Sequence, residues 1–179
     1  MADTPQFYSP RLADDPRGNP LEAGGERETL TAFLDWHRST LELKCAGLEA
    51  GRLSERAVPP SDLSLHGLLR HLAAGERWWF RIRFAGENVP LLHYADDDPD
   101  RDFRGTGGDP AEALKGWRRE VDRSREIVAA AALDDAGIRK RTGDPVSLRA
   151  VLVHMIAEYA RHNGHADLLR ERLDGSIGM

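Results

Sequence analysis

Ser147-Leu148-Arg149-Ala150-Val151-Leu152-Val153-His154-Met155-Ile156-Ala157-Glu158-Tyr159-Ala160-Arg161-His162 contains no proline and reads as a strong helix. Its ligand-type side chains, His154, Glu158 and His162, followed by His165, recur at i, i+4, i+8 and i+11. At about 100° per residue these positions share an arc of roughly 80° on one face. Residues four apart are neighbours on a helix surface, so Glu158 and His162 can reach one cation together. Imidazoles and a carboxylate on a face that also carries apolar residues are unfavourable to bury without a partner. Metal ligation supplies such a partner; a solvated polar edge is the alternative.

Outward from this run, the pattern predicts a last helix from about Ser147 to Leu173, with Gly164 a weak point inside it and Gly143-Asp144-Pro145 before it. Upstream, Asp109-Pro110-Ala111-Glu112 is a helix start, with Asp as N-cap, Pro at the first helical position and Glu two further on. Leu114, Trp117, Val121 and Val128 mark the inward stripe of that helix up to the alanine run at 129–132. A helix from about Ser61–Ser64 to Phe84, closed by Gly86, precedes it. The first helix is expected from about Glu26 to Ala50, with Leu30, Phe33, Leu34, His37, Leu41, Lys44/Cys45 and Leu48 at helical spacing. Gly51 and Pro59-Pro60 are expected to end it. No strand and no internal repeat is legible. Residues 1–25 carry proline, glycine and mixed charge without period and read as a tail, draped or poorly ordered.

Four helices in residues 26–174 predict an all-α four-helix bundle. The segment between the second and third helices, Ala85 to Gly108, is long enough to cross the bundle's length and let those two helices run parallel. It contains Asp96-Asp97-Asp98-Pro99-Asp100-Arg101-Asp102, which fails as a calcium loop. In that frame Arg101 stands where the turn needs glycine, and Gly107 where a bidentate glutamate is needed. A solvated acidic loop is the expectation.

Composition narrows the function classes. The chain has 179 residues, 40% hydrophobic and 31% charged, enough for a sizeable core. No stretch approaches the length of apolar residues that spans a bilayer, and Met1-Ala2-Asp3-Thr4-Pro5 has no signal-peptide character. A net charge of −5 leaves no electrostatic footprint for nucleic acid. Cys45 is the lone cysteine, so neither an internal disulfide nor a thiolate-rich zinc site can form, which suits a reducing cytoplasm. Lys44, Lys115 and Lys140 are the only lysines among 25 basic residues, a bias that fits a GC-rich genome.

A third ligand must come from the second helix, which offers His66 and His71. Projected at about 100° per residue from Leu65, the apolar set Leu65, Leu68, Leu69, Leu72, Trp78, Trp79, Phe80 and Ile82 fills an arc from roughly 220° to 60°. His71 falls near 240°, inside that arc, and His66 near 100°, on the rim. An interior histidine is either a hydrogen-bonded core residue or a ligand; facing Glu158 and His162 across a bundle, the ligand reading gains.

Leu65-His66-Gly67-Leu68-Leu69-Arg70-His71-Leu72-Ala73-Ala74-Gly75-Glu76-Arg77-Trp78-Trp79, the segment Asp98-Pro99-Asp100-Arg101-Asp102-Phe103, and Glu158-Tyr159-Ala160-Arg161-His162-Asn163-Gly164-His165-Ala166-Asp167-Leu168-Leu169-Arg170-Glu171 together resemble the DinB-like superfamily. The closer likeness is to its actinobacterial, mini-circle-type branch, related to mycothiol-dependent S-transferases and maleylpyruvate isomerase. The resemblance covers about residues 26 to 174 and implies a four-helix bundle of up-down-down-up course. It also implies that the family's metal histidine falls on His71 and its last-helix ligand pair on Glu158 and His162. Many relatives carry histidine where this chain has Glu158; the isomerase-like and S-transferase-like members resemble it in using glutamate. His165 stands where many relatives have glutamine, so its role does not transfer. His165 reads as a structural rim histidine, with a partner to a ligand or an acid–base group as the alternative; His154 is a weaker candidate still, and His37 and His93 read as surface or packing residues.

A divalent cation on two imidazoles and one carboxylate, zinc or nickel by ligand type, keeps open positions, where it lowers the pKa of a thiol or water and polarises a carbonyl. No G-x-S-x-G elbow, P-loop or dinucleotide fingerprint is present, and Cys45 has no basic cluster beside it. Trp78, Trp79 and Tyr159 are candidates for an apolar pocket by the metal or for core filling. Three functions stand: a metal-dependent enzyme activating a low-molecular-weight thiol such as mycothiol, as S-transferase or isomerase; a metal-dependent hydrolase; and a non-catalytic, metal-stabilised bundle that binds small molecules or serves a stress response. The expected partners are a small electrophile and a thiol, with homodimerisation open and neither nucleic acid nor membrane involved.

Overall fold

The computed structural model describes residue 17 and residues 24–137 and 144–177. Apart from Arg17, Gly24 and Gly25, the expected tail lies outside the described residues. The helices are α1 (Glu26–Cys45), α2 (Ala50–Leu53), α3 (Leu65–Glu76), α4 (Arg101–Arg104), α5 (Pro110–Ala130) and α6 (Leu148–Asp174). The long elements start where their caps predict. Ser64 Oγ accepts from the Gly67 N–H, Asp109 Oδ1 from that of Ala111, and Ser147 Oγ from that of Ala150. Pro110 occupies the first turn of α5, where its missing N–H costs no hydrogen bond.

The contacts between helices set their directions. Along α1 and α6, Glu26 pairs with Arg149, the His37 carbonyl with Asn163, and the Lys44 carbonyl with Arg170, so these two helices run parallel. Between α1 and α5 the order reverses: Arg27 donates to the Val128 carbonyl, Asp35 meets Arg125, and Glu42 meets Arg118. Between α3 and α6 it reverses again, with His71 on Glu158 and, further along, Trp79 against His154. The course is up-down-down-up, and the 85–108 connection lets α3 and α5 run the same way.

Three departures from periodicity follow from local chemistry. The first helix ends at Cys45 rather than near Ala50, where Ala46 turns extended and Gly47 follows at φ +73°, in the left-handed region that favours glycine; Gly51 lies inside the short α2. The second helix does not stay α-helical to Phe84: Arg77–Phe84 is a π-helical turn. Its wider i→i+5 spacing turns each residue through less than the α-helical step, so the projected arc drifts beyond Glu76. Trp78 and Trp79 end half-buried, whereas Phe80 is fully buried. A small ladder, Ala136–Gly137 (β1) against Val146–Ser147 (β2), ties the α5–α6 connection, although no strand is legible in the sequence. Gly137 is required there, since a Cβ would stand 2.5 Å from Phe84 Cα. Gly164 does not interrupt α6.

The core is mostly leucine from α1, α3 and α6 with Phe80, Trp117, Val121, Met155 and Tyr159. Through its centre runs a polar chain joining all four long helices. Arg38 of α1 grips Glu76 of α3 with two parallel hydrogen bonds of 2.9 and 2.8 Å. Tyr159 of α6 donates to Glu76 Oε1 at 2.7 Å, and Trp117 Nε1 of α5 donates to Tyr159 Oη at 2.8 Å. Glu76 and Tyr159 are fully buried and Arg38 nearly so. Because every member is paired, the ion pair is tolerable in an apolar interior.

Candidate metal centre

Midway along α6, Glu158 and His162 stand one turn apart and face α3. The middle of α3 presents His71 to them. Glu158 Oε1 lies 3.1 Å from His71 Nε2 and 3.1 Å from His162 Nε2, and all three donor atoms fall within 4.8 Å of one another. The rings of His71 and His162 approach to 4.6 Å between centroids. Three donors around a tetrahedral ion at about 2.1 Å stand roughly 3.4 Å apart, so the cluster fits an ion of zinc-like size after small adjustments. His162 is buried, while His71 and Glu158 keep partial exposure, which gives the cluster a way out to solvent.

The outer sides of both imidazoles are engaged. His71 Nδ1 lies 2.8 Å from Asp102 Oδ2, and its ring stacks on Phe103 at 4.2 Å and an interplanar angle of 21°. His162 Nδ1 lies 3.3 Å from His165 Nδ1. Asp102 and Phe103 come from the single turn of α4 in the long connection. That turn seats directly on α3 because Gly67 has no side chain; a Cβ there would stand 2.8 Å from the Phe103 carbonyl oxygen. Asp102 is therefore buried, which corrects the reading of 96–102 as wholly solvated. Sequence reasoning missed Asp102 and Phe103 as site residues; the available signal was the Asp-Phe pair inside the family-like segment.

Electrostatics follow the geometry. Burial alone would lower the His71 pKa, but hydrogen bonds to Asp102 and then Glu158 outweigh it and raise the pKa to about 9. Hydrogen bonds from His162 and then His71 hold the Glu158 carboxyl well below the usual carboxylate range, against its burial. Glu158 thus stays an anion, ready to neutralise a cation. The remaining histidines are elsewhere or peripheral. His154 packs its ring on Trp79 at 4.0 Å, away from the cluster. His66, expected on the rim, is 1% exposed with Nδ1 2.9 Å from Ser54 Oγ, because the turn after α2 folds over that face. His37 lies beside Trp36, and His93 sits in the long connection at φ +67°. Tyr159 belongs to the central polar chain rather than to an apolar pocket at the site; Phe103 is the aromatic there.

Fold and cluster together define a DinB-like four-helix bundle with the capacity to hold a metal ion. The mycothiol-S-transferase family profile matches residues 29–175, and the chain belongs to that family. Among solved structures it is similar to a conserved protein from Enterococcus faecalis, at 17% identity and a TM-score of 0.62, over 86% of this chain and 100% of that one. It is also similar to YfiT from Bacillus subtilis, described as a probable metal-dependent hydrolase with an unusual four-helix bundle topology. That likeness has 14% identity and a TM-score of 0.60, over 89% of this chain and 95% of YfiT. At these identities both speak for the fold alone. No curated protein matches the chain. Among the described residues, no helix is long and apolar enough to cross a membrane.

Proposed function

We propose that this chain is a metal-dependent enzyme that activates a low-molecular-weight thiol of the mycothiol type, for transfer to a small electrophile or for isomerisation. The observation that carries the reading is the convergence of His71, Glu158 and His162 on one point, inside the span that matches the mycothiol-S-transferase family. These three residues are assigned as the ligands of one divalent ion, zinc or nickel. When bound, such an ion lowers the pKa of a thiol or water at its open positions.

The chain's own residues do the rest. Glu158 contributes the negative charge that offsets the cation, and His71 and His162 contribute neutral donors. Asp102 accepts a hydrogen bond from His71 Nδ1–H, and Phe103 covers one face of the His71 ring, which keeps water off that side. The attacking sulfur must come from outside. Cys45 is buried, and burial pushes its thiol up to about 12, so it supplies no thiolate. A reducing cytoplasm, which keeps both Cys45 and a small thiol reduced, is the compartment this chemistry fits.

Metal-loaded protein with mycothiol and a panel of small electrophiles is expected to accelerate conjugation, and the rate is expected to collapse on chelation and in His162→Ala. An uncoordinated thiol with a pKa near 8.5 is mostly protonated at neutral pH, which is why loss of the ion removes the rate. The second reading, a hydrolase on the same ligands, draws on the description of YfiT. Thiol-independent ester or amide cleavage would favour it. Intact metal with silence in both assays would leave a metal-stabilised, non-catalytic bundle.

A further inference from the structure

We propose that Asp102 is a positioning residue: its carboxylate holds the proton of His71 on Nδ1 and so aims Nε2 at the point shared with Glu158 and His162. The proposal rests on the metal reading above and adds to it the residue that orients the ligand on α3.

Neutral imidazole has a single N–H, and the hydrogen bond made by one ring nitrogen decides which is free to act as a donor to a cation. The Asp102 Oδ2–His71 Nδ1 distance is 2.8 Å, shorter than the 3.1 Å from His71 Nε2 to Glu158. Asp102 is itself immobilised. It is 3% exposed, its Oδ1 accepts from the Phe103 N–H at 2.8 Å, and its carbonyl accepts from Arg70 Nε at 3.0 Å. The Phe103 ring, stacked on His71, fixes the tilt of the imidazole plane while Asp102 fixes its rotation about χ2. Gly67 makes the close approach of α4 to α3 feasible. A buried carboxylate behind a histidine, held by the Phe103 N–H with its own carbonyl tied to the Arg70 side chain, orients ligands as outer partners of metal-bound histidines do elsewhere.

The experiment measures zinc affinity of the full chain by competition with a chromophoric chelator, and records the histidine ring N–H resonances of the zinc-loaded protein. Wild type is expected to bind one zinc and to show a downfield, slowly exchanging Nδ1–H of His71. D102A is expected to bind zinc about 10- to 100-fold more weakly and to lose that resonance, with the far-UV spectrum of the chelated protein unchanged. D102N, of the same shape without the charge, should fall between them, and it decides by the same two readouts if D102A loses helicity. Wild-type zinc affinity and an unchanged resonance in these variants would overturn the positioning role alone. A wild-type protein that takes up no zinc would instead remove the metal reading, and this proposal with it.

Discussion

In the metal-free protein at neutral pH, His71 carries a proton on each ring nitrogen, because Asp102 and Glu158 hold its pKa near 9. The consequences have opposite signs for folding and for metal binding. A histidine pKa raised above its unfolded value adds stability that is full below about 6.5 and is lost as pH rises through about 9. In chelator, urea melts between these pH values should show wild type losing more stability than His71→Ala; equal losses would contradict this. Metal binding must displace the Nε2 proton, so zinc affinity should rise about tenfold per pH unit up to pH 9 from this group, then flatten. A flat affinity from pH 7 to 9 would contradict the displacement of a His71 proton held up to pH 9. His165 meets His162 at its outer ring nitrogen. His165→Ala should therefore keep the metal, as elemental analysis would show, while altering activity.

At the scale of elements, the site depends on how α4 is pressed onto α3. Gly67→Ala should displace the Phe103 carbonyl and with it Asp102, because the added Cβ would meet that oxygen at 2.8 Å. The expected outcome is a loss of about 1–3 kcal/mol in denaturant melts and a weaker zinc affinity than wild type. Wild-type values for both would mean that α4 can shift without disturbing the site. The same elements show what the sequence discloses and what it hides. The starts at Ser64, Asp109 and Ser147 were legible because a cap is a local matter of a side-chain oxygen and the next few N–H groups. Glu158 and His162 were legible because α6 is regular and i,i+4 is fixed by the helix itself. Asp102 was hidden because its partner is 31 residues away and the connection has no period to read. The burial of His66 was hidden for the same reason, since what covers it comes from another element. The π-helical turn at Arg77–Phe84 defeated the projection of Trp78 and Trp79, because the projection assumes one uniform step.

Across the whole molecule, the Arg38–Glu76–Tyr159–Trp117 chain fixes the relative placement of α1, α3, α5 and α6 about the core. Nothing in a helical pattern marks Arg38 for burial; only a paired partner makes an interior arginine tolerable. Replacing Glu76 by Leu would remove the buried carboxylate from Arg38 and leave it charged in the interior with the half-exposed Asp35 as its remaining ion-pair partner among the described residues. Equilibrium denaturation is expected to show a loss of about 3–5 kcal/mol, with zinc stoichiometry preserved in the fraction that remains folded. A stability within experimental error of wild type would mean that Arg38 can swing out to solvent.

The bundle brings His71 from one half of the chain to Glu158 and His162 in the other, and the functional account stands on their sharing one ion. Metal content by elemental analysis, on protein purified without chelator and reloaded with zinc, measures this directly. The account predicts about one ion per chain for wild type and for His66→Ala, and its loss in His71→Ala, Glu158→Ala and His162→Ala alike. Full metal content in His71→Ala, or loss from His66→Ala with Glu158→Ala intact, would contradict it.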